Sequence, residues 1–334
     1  MSLDTARAII LDIQRGNIKP IYFLAGEEPF YIDMISGYIE KTVLSEDEKG
    51  FNQMVLYGRD AEVEDIISNA KRYPMMAQRQ VIIVKEAQDL SRTIDNLGAY
   101  AQNPQPTTVL VLCYKHKKLD GRKSLGKHIK SHGVYFEGKK MYDNQVPRWI
   151  TDVLSKKGYS ITPKASLMLT EFLGNDLGKI MKELEKLEVI IRPGQQITPQ
   201  IVEENIGISK DFNNFELQNA IGSRNIKKAF AIAKYFGQNS SNHPLLMTTA
   251  ILYMYFSKVL MYHALPSKGN AAKDLGITPY FIKDYEMAAR NYSMKKVGAI
   301  IHDIRMADVK AKGVGSASAS DGELLNELLF KIFS

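Results

Sequence analysis

A run of four β-branched residues, Val81–Val84, constrains the fold of this chain more than any other feature. A strand that is apolar at every position is typical of a parallel sheet covered on both faces. Ile21–Ala25 and Thr108–Cys113 are similar runs, and Gln53–Tyr57 and Val134–Glu137 are further strand candidates. Helical patterns separate these segments, so the sequence predicts an α/β domain on a mostly parallel sheet.

The pattern changes near Met141. From Asp143 to the end of the chain, apolar residues recur at helical spacing. The chain has 334 residues, enough for two or three domains. We expect three: an α/β domain over residues 1–140, a small helical domain over 141–207 and a larger helical domain over 208–334.

Composition is that of an ordinary globular protein, with a net charge of +7 that permits contact with nucleic acid but does not establish it. The single cysteine, Cys113, excludes a disulfide framework, fits a reducing cytoplasm and follows an apolar run, which favours a buried thiol over a nucleophile. The long apolar segment from Leu245 is too rich in Tyr, Ser, Lys and His for a membrane helix. With no secretory signal at the start, we expect a cytoplasmic protein without a membrane partner.

The strand, glycine and helix around Gly26 form the usual setting for a phosphate-binding loop, but the residues that would bind the phosphates are missing. Such a loop needs the pattern G-x-x-x-x-G-K-[ST], and counting from Gly26 the last three places hold Tyr31, Ile32 and Asp33. Lys85 stands where a nucleotide hydrolase would place a magnesium-binding aspartate after its strand. We therefore predict a chain with no catalytic residue, no cofactor and no metal site.

A second glycine-rich segment, Gly121–His128, fits most of the same pattern but has His128 where Ser or Thr is required. It follows a charged segment that we predict to be a loop, Lys115–Asp120, so a basic surface helix is the expected structure. His128 and His132 could share a helical face, but lysines surround them and a metal site is not favoured.

The segment Tyr73–Arg79 precedes the central strand and contains two adjacent methionines, Met75 and Met76. On spacing alone the pair is expected to cap the core, since apolar side chains are usually inside. The alternative is a protein-binding surface, because methionine adapts to irregular apolar pockets.

Several segments, in this order and spacing, resemble the delta subunit family of bacterial DNA polymerase III, which is part of the sliding-clamp loader. They are Ile21–Phe30, Met75–Val84, Phe172–Leu177 with Glu183–Leu187, and Ala307–Lys312. The resemblance runs from about residue 20 to the end of the chain.

The resemblance implies an AAA+-like first domain with a RecA-like parallel sheet, a small helical lid and a C-terminal helical collar. It also implies a subunit that does not hydrolyse ATP, and in the lid segment Lys179 stands near the place of a sensor arginine. Whether the chain is an enzyme stays open, because the family is classed with DNA-directed DNA polymerase, a nucleotidyltransferase, as a holoenzyme subunit.

The family's apolar clamp-binding pair falls on Met75 and Met76, within a segment that includes Tyr73, Pro74 and Arg79. The family often carries leucine or phenylalanine at the pair. The implied partners are the sliding clamp (beta), the other loader subunits (gamma/tau and delta prime) through the collar, and primed DNA.

Six basic residues are candidates for DNA contact, with a solvated surface as the alternative for each group. They are Arg122, Lys123, Lys127, Lys130, Lys310 and Lys312. Two other functions compete with a clamp-loader subunit. One is an active AAA+ ATPase of replication or recombination, and the other is a generic DNA-binding module.

Overall fold

The computed structural model describes residues 2–192, 194–207, 209, 211–314 and 319–334. The chain divides into two compact units, Met1–Met141 and Tyr142–Ser334. The unit boundary coincides with the change of pattern near Met141. A further division of the helical unit near residue 207 stays a prediction.

The first unit is built on a five-stranded sheet in the order β2-β3-β4-β1-β5, with every neighbouring pair parallel. The strands are β1 (Ile21–Gly26), β2 (Gln53–Tyr57), β3 (Gln80–Lys85), β4 (Thr108–Lys115) and β5 (Val134–Gly138). The predicted fold class, a parallel α/β domain followed by helices, is confirmed. Lys115, which the sequence placed in a loop, is the last residue of β4.

Helices cover the sheet, as its apolar central strands require. They are α1 (Ser2–Gln14), α2 (Pro29–Thr42), α3 (Glu46–Asn52), α4 (Val63–Ala70), α5 (Gly98–Gln102) and α6 (Ser124–His132). Side chains on both faces of β3 are buried, including Ile82 and Ile83. The central strand is therefore covered on both sides, as a parallel sheet demands.

The sequence also predicts one helix over Ser91–Gln102 and a helix that ends or bends at Pro74, and the structure corrects both. Ser91–Gln102 is not one helix, because a 3-10 turn at Ile94–Leu97 precedes α5. Its Ser, Thr, Asp and Asn side chains favour turns, since they compete for backbone hydrogen bonds. Pro74 does not end α4, which stops at Ala70, and the Gln80 side chain donates to the carbonyl of Arg72 just beyond it.

Strand register defines two opposite edges of this sheet. At the amino edge, Gln53 of β2 lies beside Val81 of β3, so the segments before these strands are neighbours. At the carboxyl edge, Gly26 lies between Lys115 of β4 and Gly138 of β5. Loops at one edge cannot share a site with loops at the other edge of the sheet.

The second unit is helical apart from a short parallel pair, β6 (Ser160–Ile161) and β7 (Gln196–Ile197). Its helices are α7 (Val146–Ser155), α8 (Pro163–Leu173), α9 (Leu177–Ile190), α10 (Pro199–Ile206), α11 (Asn214–Gly222), α12 (Ile226–Gln238), α13 (Leu245–Ala264), α14 (Ala271–Asp274), α15 (Ile282–Asn291), α16 (Met294–Ala311) and α17 (Asp321–Phe333). Thr162 and Thr198 cap helices whose first turns contain proline, and Ser320 forms a capping box with Glu323.

Helix α13 is long and apolar enough to cross a membrane by length and composition, but a core helix passes the same test. Leu252, Phe256 and Val259 on this helix are fully buried within the second unit. The packing therefore accounts for much of its apolar character as the centre of a helical core.

Candidate partner-binding site

The segment Tyr73–Arg79 lies at the amino edge of the sheet, directly before β3. Its apolar side chains face outward: the exposed fractions are 78% for Tyr73, 61% for Met75 and 103% for Met76. Pro74 between them is half-buried. The methionine pair is therefore not part of the core, and the expectation from spacing alone is wrong.

Met76 has a left-handed backbone, with φ of 53°. This conformation costs a residue with a Cβ atom on the order of 1 kcal/mol, and such strain concentrates at functional sites. The surrounding contacts must hold the loop in this shape. The fold thus maintains a strained backbone that presents an apolar side chain wholly to solvent.

Three side chains hold the segment in place. Asn52, at the end of α3, accepts a hydrogen bond from the Met75 amide at 2.6 Å and donates one to the Met75 carbonyl at 2.9 Å. Arg79 donates to the carbonyl of Pro106 at 3.3 Å, and Gln80 donates to Thr108 Oγ1 at 2.8 Å. The Arg79 guanidinium is thus already engaged within its own unit, and Asn52 is a site residue that the sequence did not reveal.

At the opposite edge, backbone fills the place where a phosphate-binding loop would lie. The Gly26 amide donates to the carbonyl of Lys117 at 3.0 Å, and the Glu28 amide donates to the carbonyl of Gly138 at 3.2 Å. Gly26 has φ of 119°, and a Cβ atom there would lie 2.2 Å from the Gly138 carbonyl oxygen. Amides that would cradle phosphates are therefore satisfied by protein carbonyls.

Ion pairs occupy the rest of the carboxyl edge. The Lys115 ammonium lies 3.0 Å from Asp33 and 2.8 Å from Glu86, and the Lys85 ammonium lies 3.1 Å from Glu40. Burial lowers the pKa of Lys115, but the hydrogen bonds to Glu86 and Asp33 outweigh it and raise the pKa above its ordinary value. Both lysines at the strand ends are thus neutralised by neighbouring carboxylates.

The candidate DNA-contact residues differ in how they are paired. Arg122 is paired with Asp120, Lys123 with Asp95, Lys310 with Glu327 and Lys312 with Asp308, at 2.6–3.0 Å. Lys127 and Lys130 on α6 are exposed and, among the residues that the structure describes, have no ion-pair partner. Of the six candidates, these two are the most available to an outside phosphate.

Other candidate groups are already engaged. Lys179 in the second unit pairs with Asp176 at 3.4 Å at the start of α9. His132 Nδ1 lies 3.3 Å from the carbonyl of His128 one turn earlier. Within the described ranges, no three His, Cys, Asp or Glu side chains are grouped so as to hold a metal ion.

The family model for the DNA polymerase III delta subunit matches residues 22–139, and that for the C-terminal domain of the same subunit matches residues 211–330. DNA polymerase III subunit delta of Bacillus subtilis (strain 168) is 25% identical over 329 residues, covering 95% of this chain and 93% of that protein.

A solved structure shows the same fold. The Bacillus subtilis DNA clamp loader delta protein aligns with a TM-score of 0.56 at 23% identity, covering 98% of this chain and 99% of that chain. These matches define a subunit of DNA polymerase III with the fold of a clamp loader delta protein. The chain belongs to the delta subunit family of DNA polymerase III.

Proposed function

We propose that the first unit uses the segment Tyr73–Arg79 to bind the DNA sliding clamp and open its ring, without hydrolysing ATP. The observation that carries this proposal is the methionine pair. Met76 is fully exposed on a strained backbone, and its neighbour Met75 is pinned by Asn52. An apolar pair held outward at an energetic cost is what a partner pocket would require.

Burial of the pair supplies enough energy for a specific anchor. Moving two methionine side chains from water into an apolar pocket contributes about 3–5 kcal/mol. The ordering of the partners on association offsets part of this. The hydrogen bonds of the Met75 backbone and the Arg79 side chain reduce that loss, because the segment is already held in one shape.

Opening of the ring follows from unequal affinity for its two states. A ligand shifts an equilibrium only by the difference in its affinity for the two conformations. The segment would favour the open ring if its contacts were complete only there. This mechanism includes no covalent step, so it requires no catalytic side chain.

The contacts at the carboxyl edge support the proposal that other subunits, and not this one, bind ATP. Its amides bond to protein carbonyls, and its lysines pair with Asp33, Glu40 and Glu86. The triphosphate would have to break these contacts and would meet three carboxylates. We therefore propose that other loader subunits bind ATP and decide when the clamp-binding segment is presented.

Helix α13 supports assembly with those subunits through the region 208–334 as a collar. Five large apolar side chains on it are exposed by 37–52%, and they recur at seven-residue spacing as in helix–helix seams. They are Leu246, Met247, Tyr253, Met254 and Met261. We call this set the α13 stripe and propose that it packs against the gamma/tau and delta prime subunits in the cytoplasm.

Lys127 and Lys130 support a contact with primed DNA, since they are exposed without a carboxylate partner in the part of the chain that the structure describes. Replacing either lysine with a neutral residue should reduce the dependence of DNA binding on salt by about one counterion. The remaining candidates, including Arg122 and Lys310, would first have to exchange their acidic partners for phosphate.

The test of ring opening uses a sliding clamp trapped on nicked circular DNA. The isolated chain should accelerate release of the clamp in the absence of ATP, because its binding stabilises the open ring. A chain that binds the clamp tightly but leaves its release unchanged would contradict the opening step. A chain that does not bind the clamp would contradict the proposed function as a whole.

A further inference from the structure

Helix α3 lies at the same edge of the sheet as the methionine pair. It ends at Asn52 directly before β2, and the segment Tyr73–Arg79 ends directly before β3. Because β2 and β3 are parallel neighbours with Gln53 beside Val81, the residues before each strand are brought together. Chain positions more than twenty residues apart thus form one surface.

Asn52 joins the two segments through both halves of its amide. Its Oδ1 accepts from the Met75 amide at 2.6 Å, and its Nδ2 donates to the Met75 carbonyl at 2.9 Å and to the Glu48 carbonyl at 3.1 Å. The side chain is 5% exposed. A buried amide that satisfies both polar groups of one backbone residue fixes that residue in place.

The residue before Asn52 is Phe51, whose side chain is 77% exposed. The rest of α3 is strongly polar, with Glu46, Asp47 and Glu48 in its first turn. A single exposed phenylalanine is common on protein surfaces. This one differs because the next residue in the chain, Asn52, is hydrogen-bonded to the backbone of Met75.

We propose that Phe51 is a further apolar anchor for the sliding clamp and that Asn52 is the positioning residue that fixes it relative to Met75. The inference rests on the proposed clamp-binding role of Met75 and Met76. The occupant is the clamp itself, because Asn52 joins the end of α3 to the segment that carries the methionine pair. Aromatic side chains carry a large share of the binding energy where they lie near the centre of an interface.

The first experiment compares Phe51→Ala with Tyr57→Ala by calorimetric titration against the cognate clamp. Tyr57 is also an exposed aromatic residue, but it lies at the opposite end of β2. Phe51→Ala should weaken binding by about fivefold or more, the usual range for an interface anchor, and Tyr57→Ala should leave it unchanged. Equal affinity of the two variants would overturn the role of Phe51.

The second experiment separates positioning by Asn52 from simple stability. Asn52→Ala should weaken clamp binding and speed hydrogen exchange at the Met75 amide, with affinity measured at a temperature where the variant is fully folded. Asn52→Asp keeps an acceptor for that amide but loses the donor. Its clamp affinity should lie between those of the unaltered chain and of Asn52→Ala. Unchanged affinity and unchanged exchange at Met75 in both folded variants would overturn the positioning role.

Failure of this inference is distinct from failure of the proposed function. If Met75→Ala with Met76→Ala abolishes clamp binding and Phe51→Ala does not weaken it, the inference fails and the proposed function stands. If the methionine variant binds as the unaltered chain does, the proposed function fails and this inference fails with it.

Discussion

The ammonium of Lys115 lies 2.8 Å from the carboxylate of Glu86, across the ends of strands β4 and β3. This pair stands at the carboxyl edge, where open α/β sheets of this kind bind their ligands. The hydrogen bond from Lys115 lowers the pKa of Glu86 below its ordinary value, so both groups are charged at neutral pH. The charged groups at this edge therefore neutralise one another instead of forming a phosphate site.

The first prediction concerns nucleotide binding. Calorimetric titration of the chain with ATP and Mg²⁺ should show no saturable binding up to millimolar nucleotide, because the Gly26 and Glu28 amides and Lys115 are already engaged. An ATP-binding loader subunit titrated in the same buffer provides the positive control. Micromolar affinity for ATP would favour the competing function of an active ATPase.

A second prediction concerns Cys113, which is 1% exposed within β4. Burial raises the pKa of its thiol to about 11, so that at pH 8 only about one thiol in a thousand is ionised. The folded chain should resist iodoacetamide at pH 8 and react after denaturation in urea, as followed by mass spectrometry. Rapid alkylation of the folded chain would show that the strand is not packed as described.

The strands could be predicted because runs such as Val81–Val84 are apolar at every position, and burial on both faces leaves little choice of structure. The site could not be predicted from local pattern. Apolar residues beside a strand are usually inside, so the exposure of Met75 and Met76 was signalled only by the family resemblance. Asn52 gave no signal, since its hydrogen bonds to Met75 span 23 residues and depend on strand register.

A third prediction concerns pH and Glu171 on α8. Its carboxylate accepts hydrogen bonds from the amides of Asn214 and Phe215 at the start of α11, at 2.5 and 3.2 Å. Burial raises the pKa of Glu171 from 4.5 to about 7 despite these two bonds. Between those values the folded chain holds a proton that the unfolded chain has lost, so the free energy of unfolding falls as pH rises.

The Glu171→Gln variant should lose this part of the pH dependence, which is on the order of 2 kcal/mol between pH 4.5 and 7. Urea denaturation of the second unit at several pH values measures it. Glu185→Gln, at an exposed position on α9, is the matched control and should behave as the unaltered chain does. An unchanged slope in Glu171→Gln would contradict the assignment.

A fourth prediction concerns the α13 stripe. Met254→Lys places a charge in the middle of an apolar surface, and burying it against a partner would be costly. Assembly with the gamma/tau and delta prime subunits should weaken by about tenfold or more in sedimentation experiments.

Met294→Lys is the matched control for the stripe, since Met294 lies on α16 and is 50% exposed, against 52% for Met254. It should assemble as the unaltered chain does. Equal loss of assembly in both variants would indicate a general effect of added charge and would contradict a specific role for the stripe.

The most direct test of the central claim is calorimetric titration of the sliding clamp with the chain in which Met75 and Met76 are both alanine. The exposed pair Met254 and Met261, changed to alanine in a second chain, is the control because it matches in residue type and lies in the other unit. The account predicts that the first variant loses clamp affinity by about a hundredfold or more, in keeping with about 3–5 kcal/mol of apolar burial, while the control binds normally. Unchanged affinity of the Met75 and Met76 variant would contradict it.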